Sequence, residues 1–470
     1  MKLNKAVAIL TRPHWIFVIV ALMFGVVFVG LTPPLWGLDE PSHFARAYQI
    51  SRGELLPHVK DGSIGDLMPD NFIKLTNYRT YDILDVIHGS DIIHRKDVTD
   101  ASMYDKIGDA VPSSSQSDFW SFATYSPVAY PGAVIGIVIS NILKLTLLQT
   151  LFLARLFSLI VYVAIAAFAI WLMRDKKLVW LFFIMALVPT AIFQASTISA
   201  DNVLIGLSLL FFALFFRALL DDSKNKKVFF GLIAAAIMLP LVKVNYIFIS
   251  FALLFVPGDF FLSKKVSVIY KTASLSFAVI ASVAWTHLTK VTSVSLISQR
   301  ADHVSIVPTE QISFIISHPL YFIEASLRSI IIYGDRYYQQ ALFTISDNTI
   351  ALPIILTVML SIVLVGIPIY ARAEIQNVRK QICLLGVGAI ASSITIFAAL
   401  YVAFTPTGWW FVDGIQGRYF TPLIIPIVLL VTLMIPVKLQ VHKPNLARMV
   451  YFVSVVCLGV GAVYLYQALY

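Results

Sequence analysis

Apolar runs of 17–23 residues recur along nearly the whole chain. Each is about long enough to cross the ~30 Å hydrocarbon layer of a bilayer as a single helix. A helix satisfies its own backbone hydrogen bonds in lipid, which an irregular chain cannot do. Composition agrees: 59% of residues are hydrophobic and 13% charged, against about 25% charged in soluble chains, and the mean hydropathy is +0.83. Length alone would allow about three soluble domains, but the apolar runs exclude that arrangement. The expected fold class is an all-α polytopic membrane protein, with residues 1–470 forming one integral-membrane domain.

Candidate spans are 14–32, 150–172, 178–196, 200–220, 228–243, 245–261, 267–289, 351–371, 382–404, 420–437 and 449–468, which makes eleven transmembrane helices. Two long polar segments, 33–126 and 290–350, interrupt them, and 127–146 is ambiguous. Charge fixes the expected topology. Basic residues cluster at 2–12, at Arg174/Lys176/Lys177, at Lys224/Lys226/Lys227, at Lys264/Lys265, at Arg372/Arg379/Lys380 and at Lys438/Lys443/Arg448. If 127–146 is re-entrant or membrane-embedded without crossing, all of these clusters share the cytoplasmic face; if it crosses, every cluster after the first flips outward. The positive-inside bias favours the first arrangement, as do Pro127 and Pro131 near the start of the segment. The expectation is a plasma-membrane protein with a cytoplasmic N-terminus, an uncleaved first span and both long loops extracytoplasmic.

The same bias accounts for the net charge of +9 without nucleic acid. Cys383 and Cys457 lie in apolar stretches and form no metal or redox motif. The first outer loop alternates helix-compatible stretches such as 40–52 with turn-rich ones such as 60–71 and 112–118. In the second, 308–332 opens on Pro308 and Thr309 and keeps helical apolar spacing with a break at His318-Pro319, which predicts interfacial helices.

Ionisable residues gather where spans meet the outer loops. In WGLDEPSHFARAYQ (36–49), Pro41 belongs in the first turn of a helix, so Asp39 or Glu40 would cap it. One carboxylate suffices for a cap, and the second is free to act as a general base toward a hydroxyl. His43 and Arg46 share a face of that helix. Asp201, in STISADN, either caps the helix beginning at Asn202 or serves a site. Lys243, in LVKVNY, either snorkels or meets an anion. Arg155 interrupts the apolar run LFLARLFSLIVY. Arg418 and Tyr419 follow Gly414 and Gly417 in DGIQGRYFTPLIIP, where they read as an interfacial anchor or as a phosphate fork approached closely by glycine backbone. Arg328 and Arg336 are weaker candidates of the same kind. His88 and His94 make an unconvincing metal pair, and Walker, Rossmann, HExxH, GxSxG and CxxC motifs are absent from the sequence.

GLDEPSHFARAYQISRGELLP, YSPVAYPGAVIGIVISNIL with Arg155 beyond it, STISADNVL, LVKVNY and IQGRYFTPLIIP, in this order, resemble a bacterial family of multi-spanning membrane proteins known as a domain of unknown function. That family in turn resembles the GT-C superfamily of glycosyltransferases. The resemblance implies transfer of a sugar from a polyprenyl-phosphate carrier to a cell-envelope glycan acceptor on the outer face of the membrane. It casts Asp39, with Glu40, as the acidic catalytic group of the first outer loop, and His43, Arg46, Arg155, Asp201, Lys243, Arg418 and Tyr419 as substrate or carrier-phosphate contacts. No cofactor is required; a divalent cation is possible, with Asp39 and Glu40 its available ligands. The competing readings are a lipid-linked polysaccharide polymerase or ligase and a non-enzymatic lipid or glycan transporter.

Overall fold

The computed structural model describes residues 12–60, 63–76, 114–261, 263–291, 298–299, 305–345, 353–436 and 443–469. His88, His94, Lys2, Lys5 and Lys438 lie outside the described residues.

The apolar runs form helices. In chain order the principal ones are α1 (Pro13–Leu31), α2 (Glu40–Ser51), α3 (Pro131–Leu143), α4 (Leu147–Leu172), α5 (Val179–Ala186), α6 (Pro189–Ala195), α7 (Ala200–Leu220) and α8 (Lys226–Val242). They continue with α9 (Lys264–Val291), α10 (Pro308–Ser317), α11 (Pro319–Leu342), α12 (Ile354–Tyr370), α13 (Arg379–Phe404), α14 (Ile424–Met434) and α15 (Lys443–Leu469). Among the described residues, seven helical stretches are long and apolar enough to cross a membrane: α1, α4, α7, α9, α13, α15 and the run Gly417–Met434 that ends in α14. The count becomes eight if α10 and α11, bent by 106° at His318, form one span.

This is fewer than the eleven expected, and the causes are local. Run 178–196 breaks into α5 and α6 because Val188 adopts an extended ψ of 140° before Pro189, the conformation that a following proline favours. Run 245–261 dissolves into the short helical turns Val244–Tyr246, Ile247–Ser250 and Phe251–Phe255. Helices α8 and α12 have 17 residues each, or roughly 26 Å. Within 127–146, α3 has 13 residues, or roughly 20 Å, less than a full crossing. It lies against α4 through Gly132 and Gly136, where an added Cβ would come within 2.6 Å of the α4 backbone. A small-xxx-small face permits that approach.

Helix α7 is the buried axis of the bundle, and its two ends differ chemically. At its C-terminal end Arg217 donates to Asp175 at 2.9 Å, Lys176 pairs with Asp221 at 3.0 Å, and Glu374 accepts the Lys177 N–H at 2.8 Å. Basic clusters distant in sequence therefore meet at one end. Asp201 stands at the other end, 16 residues earlier on a helix of 21.

The polar segment between α1 and α3 is more than helix and turn. Just after β1 (His58–Lys60), the stretches read as turn-rich contain β2 (Ser63–Pro69) and β3 (Ser114–Asp118). Together they form an antiparallel sheet in the order β1-β2-β3, with Val59 opposite Ile64 and Leu67 opposite Gln116. The sequence SSQSD has no apolar alternation, so its strand rests on backbone pairing and gave no side-chain signal. Ile64, Met68, Phe72 and Phe119 are buried with Phe44 of α2, and the Phe44 and Phe72 rings stack at 5.4 Å. This small core seats α2 over the end of the bundle.

Candidate functional site

The chain turns sharply between α1 and α2. Asp39 adopts a left-handed backbone conformation, φ 56° and ψ 18°, which costs a non-glycine residue about 1 kcal/mol. Its side chain makes no capping bond to the helix it precedes. That corrects the capping expectation: Asp39 reaches out to accept a hydrogen bond from Arg418. Glu40, the first residue of α2, points elsewhere. Its carboxylate accepts from Arg155 Nε at 2.7 Å and Nη2 at 2.5 Å, from Ile198 N–H at 3.0 Å and from Gly37 N–H at 2.9 Å. Gly37 permits this closeness, since a Cβ there would lie 3.0 Å from the Glu40 carboxyl carbon and 2.7 Å from Thr197. Arg155 also donates to the carbonyls of Thr32 at 2.7 Å and Pro33 at 2.8 Å. Both side chains are fully buried.

Glu40 and Arg155 therefore form a sealed clamp that fastens α4 and the α6–α7 connection to the entry of α2. Arg46 is structural as well. It is buried and donates to the carbonyls of Tyr125 and Leu55, at 3.0 and 2.8 Å, and to Gln49. Arg155 and Glu40 engage their donors and acceptors with each other and with backbone groups, as buried charge requires. Arg46 binds backbone carbonyls and the Gln49 amide, and none of the three is among the residues lining the cavity of the remaining candidates.

The remaining candidates converge. Asp39, His43, Asp201, Lys243, Arg418 and Tyr419 line one cavity of about 210 Å³. Arg418 sits between two carboxylates, bonded to Asp39 and with its Nε 3.6 Å from Asp201 Oδ2. Lys243 pairs with Asp201, and its ammonium lies 5.0 Å from the centre of the Tyr419 ring and 5.6 Å from that of Tyr125, within the range of cation–π attraction. Asp201 does not cap α7 with its carboxylate; Ser199 does, accepting the Asp201 N–H at 3.1 Å. The glycines expected to approach a phosphate serve packing and turning. A Cβ on Gly417 would lie 2.0 Å from the Tyr337 carbonyl, and Gly414 has φ 76°.

Several lining groups escaped the sequence reading: Phe122, Tyr125, Asn245 and Tyr246 on the polar side, and Ile396, Ala399, Leu400, Ala403 and Phe404 of α13 on the other. Tyr125 and Tyr246 stand in the motifs YSPVAY and LVKVNY, but aromatic residues near span ends usually belong to an interfacial belt, so their residue type did not mark them as site residues. The cavity thus joins a charged floor to an apolar wall.

Electrostatics separate its groups further. Burial alone would raise the Asp39 pKa, but the charge and hydrogen bond of Arg418, with a contribution from His43, hold it below its ordinary value. Burial lowers His43 to about 3 despite Asp39 and Asp201, so its ring is neutral near pH 7; its Nδ1 and the Tyr130 hydroxyl are hydrogen-bonded at 2.7 Å. Arg418 Nε and Asp201 Oδ2, buried and 3.6 Å apart, face each other as an ion pair beyond hydrogen-bonding distance, and neither has a hydrogen-bond partner among the described residues. Buried polar atoms in native proteins are usually paired, so such exceptions point to a group that arrives with a ligand.

The site does not suit a metal ion. Asp39 and Asp201 are each engaged by a cationic side chain, which a divalent ion would have to displace. Among the described residues, Glu54, His58 and Asp66 are close enough together to share an ion, but Arg52 already pairs with both carboxylates, and none of the three lines the cavity.

The fold and site define a polytopic helical membrane protein with an amphipathic, ion-paired cavity at one end of its bundle. The chain belongs to the family described as Predicted membrane protein (DUF2142), which it matches over residues 22–428. No curated protein and no solved structure matches it.

Proposed function

We propose that this protein is a GT-C-like glycosyltransferase that moves a sugar from a polyprenyl-phosphate carrier to a cell-envelope glycan. One observation carries the reading. Asp39, Asp201, Lys243 and Arg418, from four separate parts of the chain, meet in a cavity whose opposite wall is the apolar face of α13. A ligand that is anionic at one end and hydrocarbon at the other complements both sides. The basic end of the bundle belongs in the cytoplasm by the positive-inside rule, which puts the cavity on the extracytoplasmic side of a bacterial plasma membrane and the N-terminus inside. A transporter site would sit nearer the midplane, between broken helices, whereas these charges cluster at one end.

The carrier's isoprenoid tail lies along Ile396, Leu400 and Phe404, and its phosphate meets Arg418 and Lys243. Arginine's fork suits phosphate oxygens. As the phosphate draws Arg418 away, Asp39 loses the guanidinium that suppresses its basicity. An acceptor hydroxyl then attacks the anomeric carbon. Its new C–O bond forms as the bond from that carbon to the phosphate oxygen breaks; the electron pair leaves with the carrier phosphate, and the hydroxyl proton passes to Asp39. Arg418 and Lys243 face the growing charge on the leaving phosphate, which favours the transition state over the ground state. The division of labour is that of an inverting displacement.

Asp39→Asn in full-length protein, given a panel of polyprenyl-phosphate sugars, should reduce transfer by about 10²–10⁴, the contribution of a positioned base. Carrier affinity should hold or rise, because Arg418 loses its competing carboxylate. Wild-type turnover in Asp39→Asn would remove Asp39 from the chemistry, and a wild-type protein that binds no polyprenyl phosphate would sink the whole reading.

A further inference from the structure

A second cavity, of about 320 Å³, opens beside the first between α11 and the loop before Gly417. Its chemistry is different. The rings of Tyr333, Tyr337 and Phe411 form its walls, with Tyr333 centred 6.2 Å from Tyr337 and 6.0 Å from Phe411. Arg336, Gln340 and Gln416 supply polar groups at the edges of those rings. The Gln340 amide is fixed in place by accepting the Gly417 N–H at 2.8 Å, and Gln416 Oε1 is a buried acceptor without a partner. An isoprenoid chain would leave Gln416 Oε1, which has no partner among the described residues, unsatisfied. A phosphate attracted by Arg336 would also meet the Asp413 carboxylate, which lines the same space. A pyranose ring suits it: its C–H faces lie on aromatic rings while hydroxyls around its rim meet amide and guanidinium groups.

Position ties the two cavities together. Arg418 follows Gln416 by two residues, so at most about 7 Å of backbone separates their Cα atoms. Gly414 rests on Phe404 and Leu400, where an added Cβ would fall 3.2 and 3.8 Å from them, and both side chains line the first cavity. Segment 414–418 is therefore a shared partition, with Gln416 facing one space and Arg418 the other. We propose that the second cavity is a glycan subsite that holds a neutral pyranose residue of the acceptor and presents its hydroxyl across this partition to Asp39. This rests on the first cavity's being the donor site.

The test measures two ligands separately on full-length protein in nanodiscs: an immobilised panel of neutral oligosaccharides, and polyprenyl phosphate. Wild type should bind at least one glycan. Phe411→Ala should weaken that binding about fivefold to tenfold, as expected for the loss of one stacking contact, and Arg336→Gln, a change at an exposed position, should also weaken it. Carrier affinity should stay at the wild-type level in both variants. Carrier binding with no glycan bound, or glycan bound equally by wild type and both variants, would overturn the subsite and leave the donor reading standing. Glycan binding that Phe411→Ala abolishes, in a protein that binds no carrier, would support the glycan site and overturn the donor reading.

Discussion

Asp39 and Glu40 are neighbours in the chain with opposite fates. Glu40 is sealed with Arg155, and its carboxylate accepts two guanidinium and two backbone hydrogen bonds. Asp39 shares Arg418 with Asp201, its side chain is 37% exposed, and Arg418 Nε stands 3.6 Å from Asp201 Oδ2, too far for a hydrogen bond. The difference shows how one short stretch can both build and equip a site. A fully satisfied buried pair fixes backbone position, whereas an unsatisfied pair at a cavity wall is chemically available. The left-handed turn at Asp39 makes the division, taking its side chain off the helical register that Glu40 begins.

The comparison is broken most severely at the clamp. Arg155→Met should leave the Glu40 carboxylate buried and uncompensated, costing on the order of 3–5 kcal/mol. The folded fraction in detergent should fall sharply and the thermal midpoint with it. A variant as stable as wild type would show that the clamp does not hold the α2 entry in place. Glu40→Gln retains hydrogen bonding but strands the arginine charge, so it should be damaging to a smaller degree.

At the cavity the corresponding change should cost less stability than at the clamp, because Lys243 still pairs with Asp201 and the Asp39 side chain is 37% exposed. Arg418→Ala removes a charge-assisted contact to phosphate worth about 1.5–3 kcal/mol, or roughly tenfold to a hundredfold in carrier affinity. Arg418→Lys keeps the charge without the planar fork and should fall between alanine and wild type. Titration with a fluorescent polyprenyl phosphate reads this directly. Unchanged affinity in Arg418→Ala would take the phosphate away from this residue.

Much of this arrangement was legible in the sequence, for a physical reason. An ionisable residue at the end of an apolar run is costly in lipid and tends to have a use, and that cost picks out Asp39, Asp201, Lys243 and Arg418. It also picks out Glu40, Arg46 and Arg155, because the same cost is met by sealed pairing, and a linear chain does not show which partner each charge finds. Apolar periodicity located the helices, but it did not show which runs stay unbroken: Pro189 divides one, and residues 244–255 fold into short helical turns. Strand β3 and the lining residues Tyr125 and Tyr246 carry no local pattern that distinguishes them from a polar turn or an aromatic belt.

The finest division between clamp and cavity runs through His43, whose backbone N–H donates to the Asp39 carbonyl at 3.1 Å. Its ring is buried, with Asp39 and Asp201 favouring protonation and Arg418 and Lys243 opposing it; burial prevails and lowers its pKa from 6.5 to about 3. In the unfolded chain the imidazole takes up a proton below about pH 6.5, whereas in the folded protein it does not. Wild type should therefore lose stability as the pH falls from 6.5, by at most about 1.4 kcal/mol per pH unit from this group. The Asp39–Arg418 pair behaves differently: its contribution is complete above the ordinary Asp value of 3.8 and is lost as the pH falls from there through the lowered Asp39 value. His43→Gln removes the titration while keeping a partner for the Tyr130 hydroxyl. Between pH 7.5 and 5, its thermal midpoint should fall less steeply than that of wild type. Sugar transfer by wild type should show no inflection near pH 6.5, because the ring stays neutral on both sides of it. Parallel stability curves for the two proteins would mean that His43 titrates near 6.5 in the folded protein as in the unfolded chain, and that burial does not keep its ring neutral.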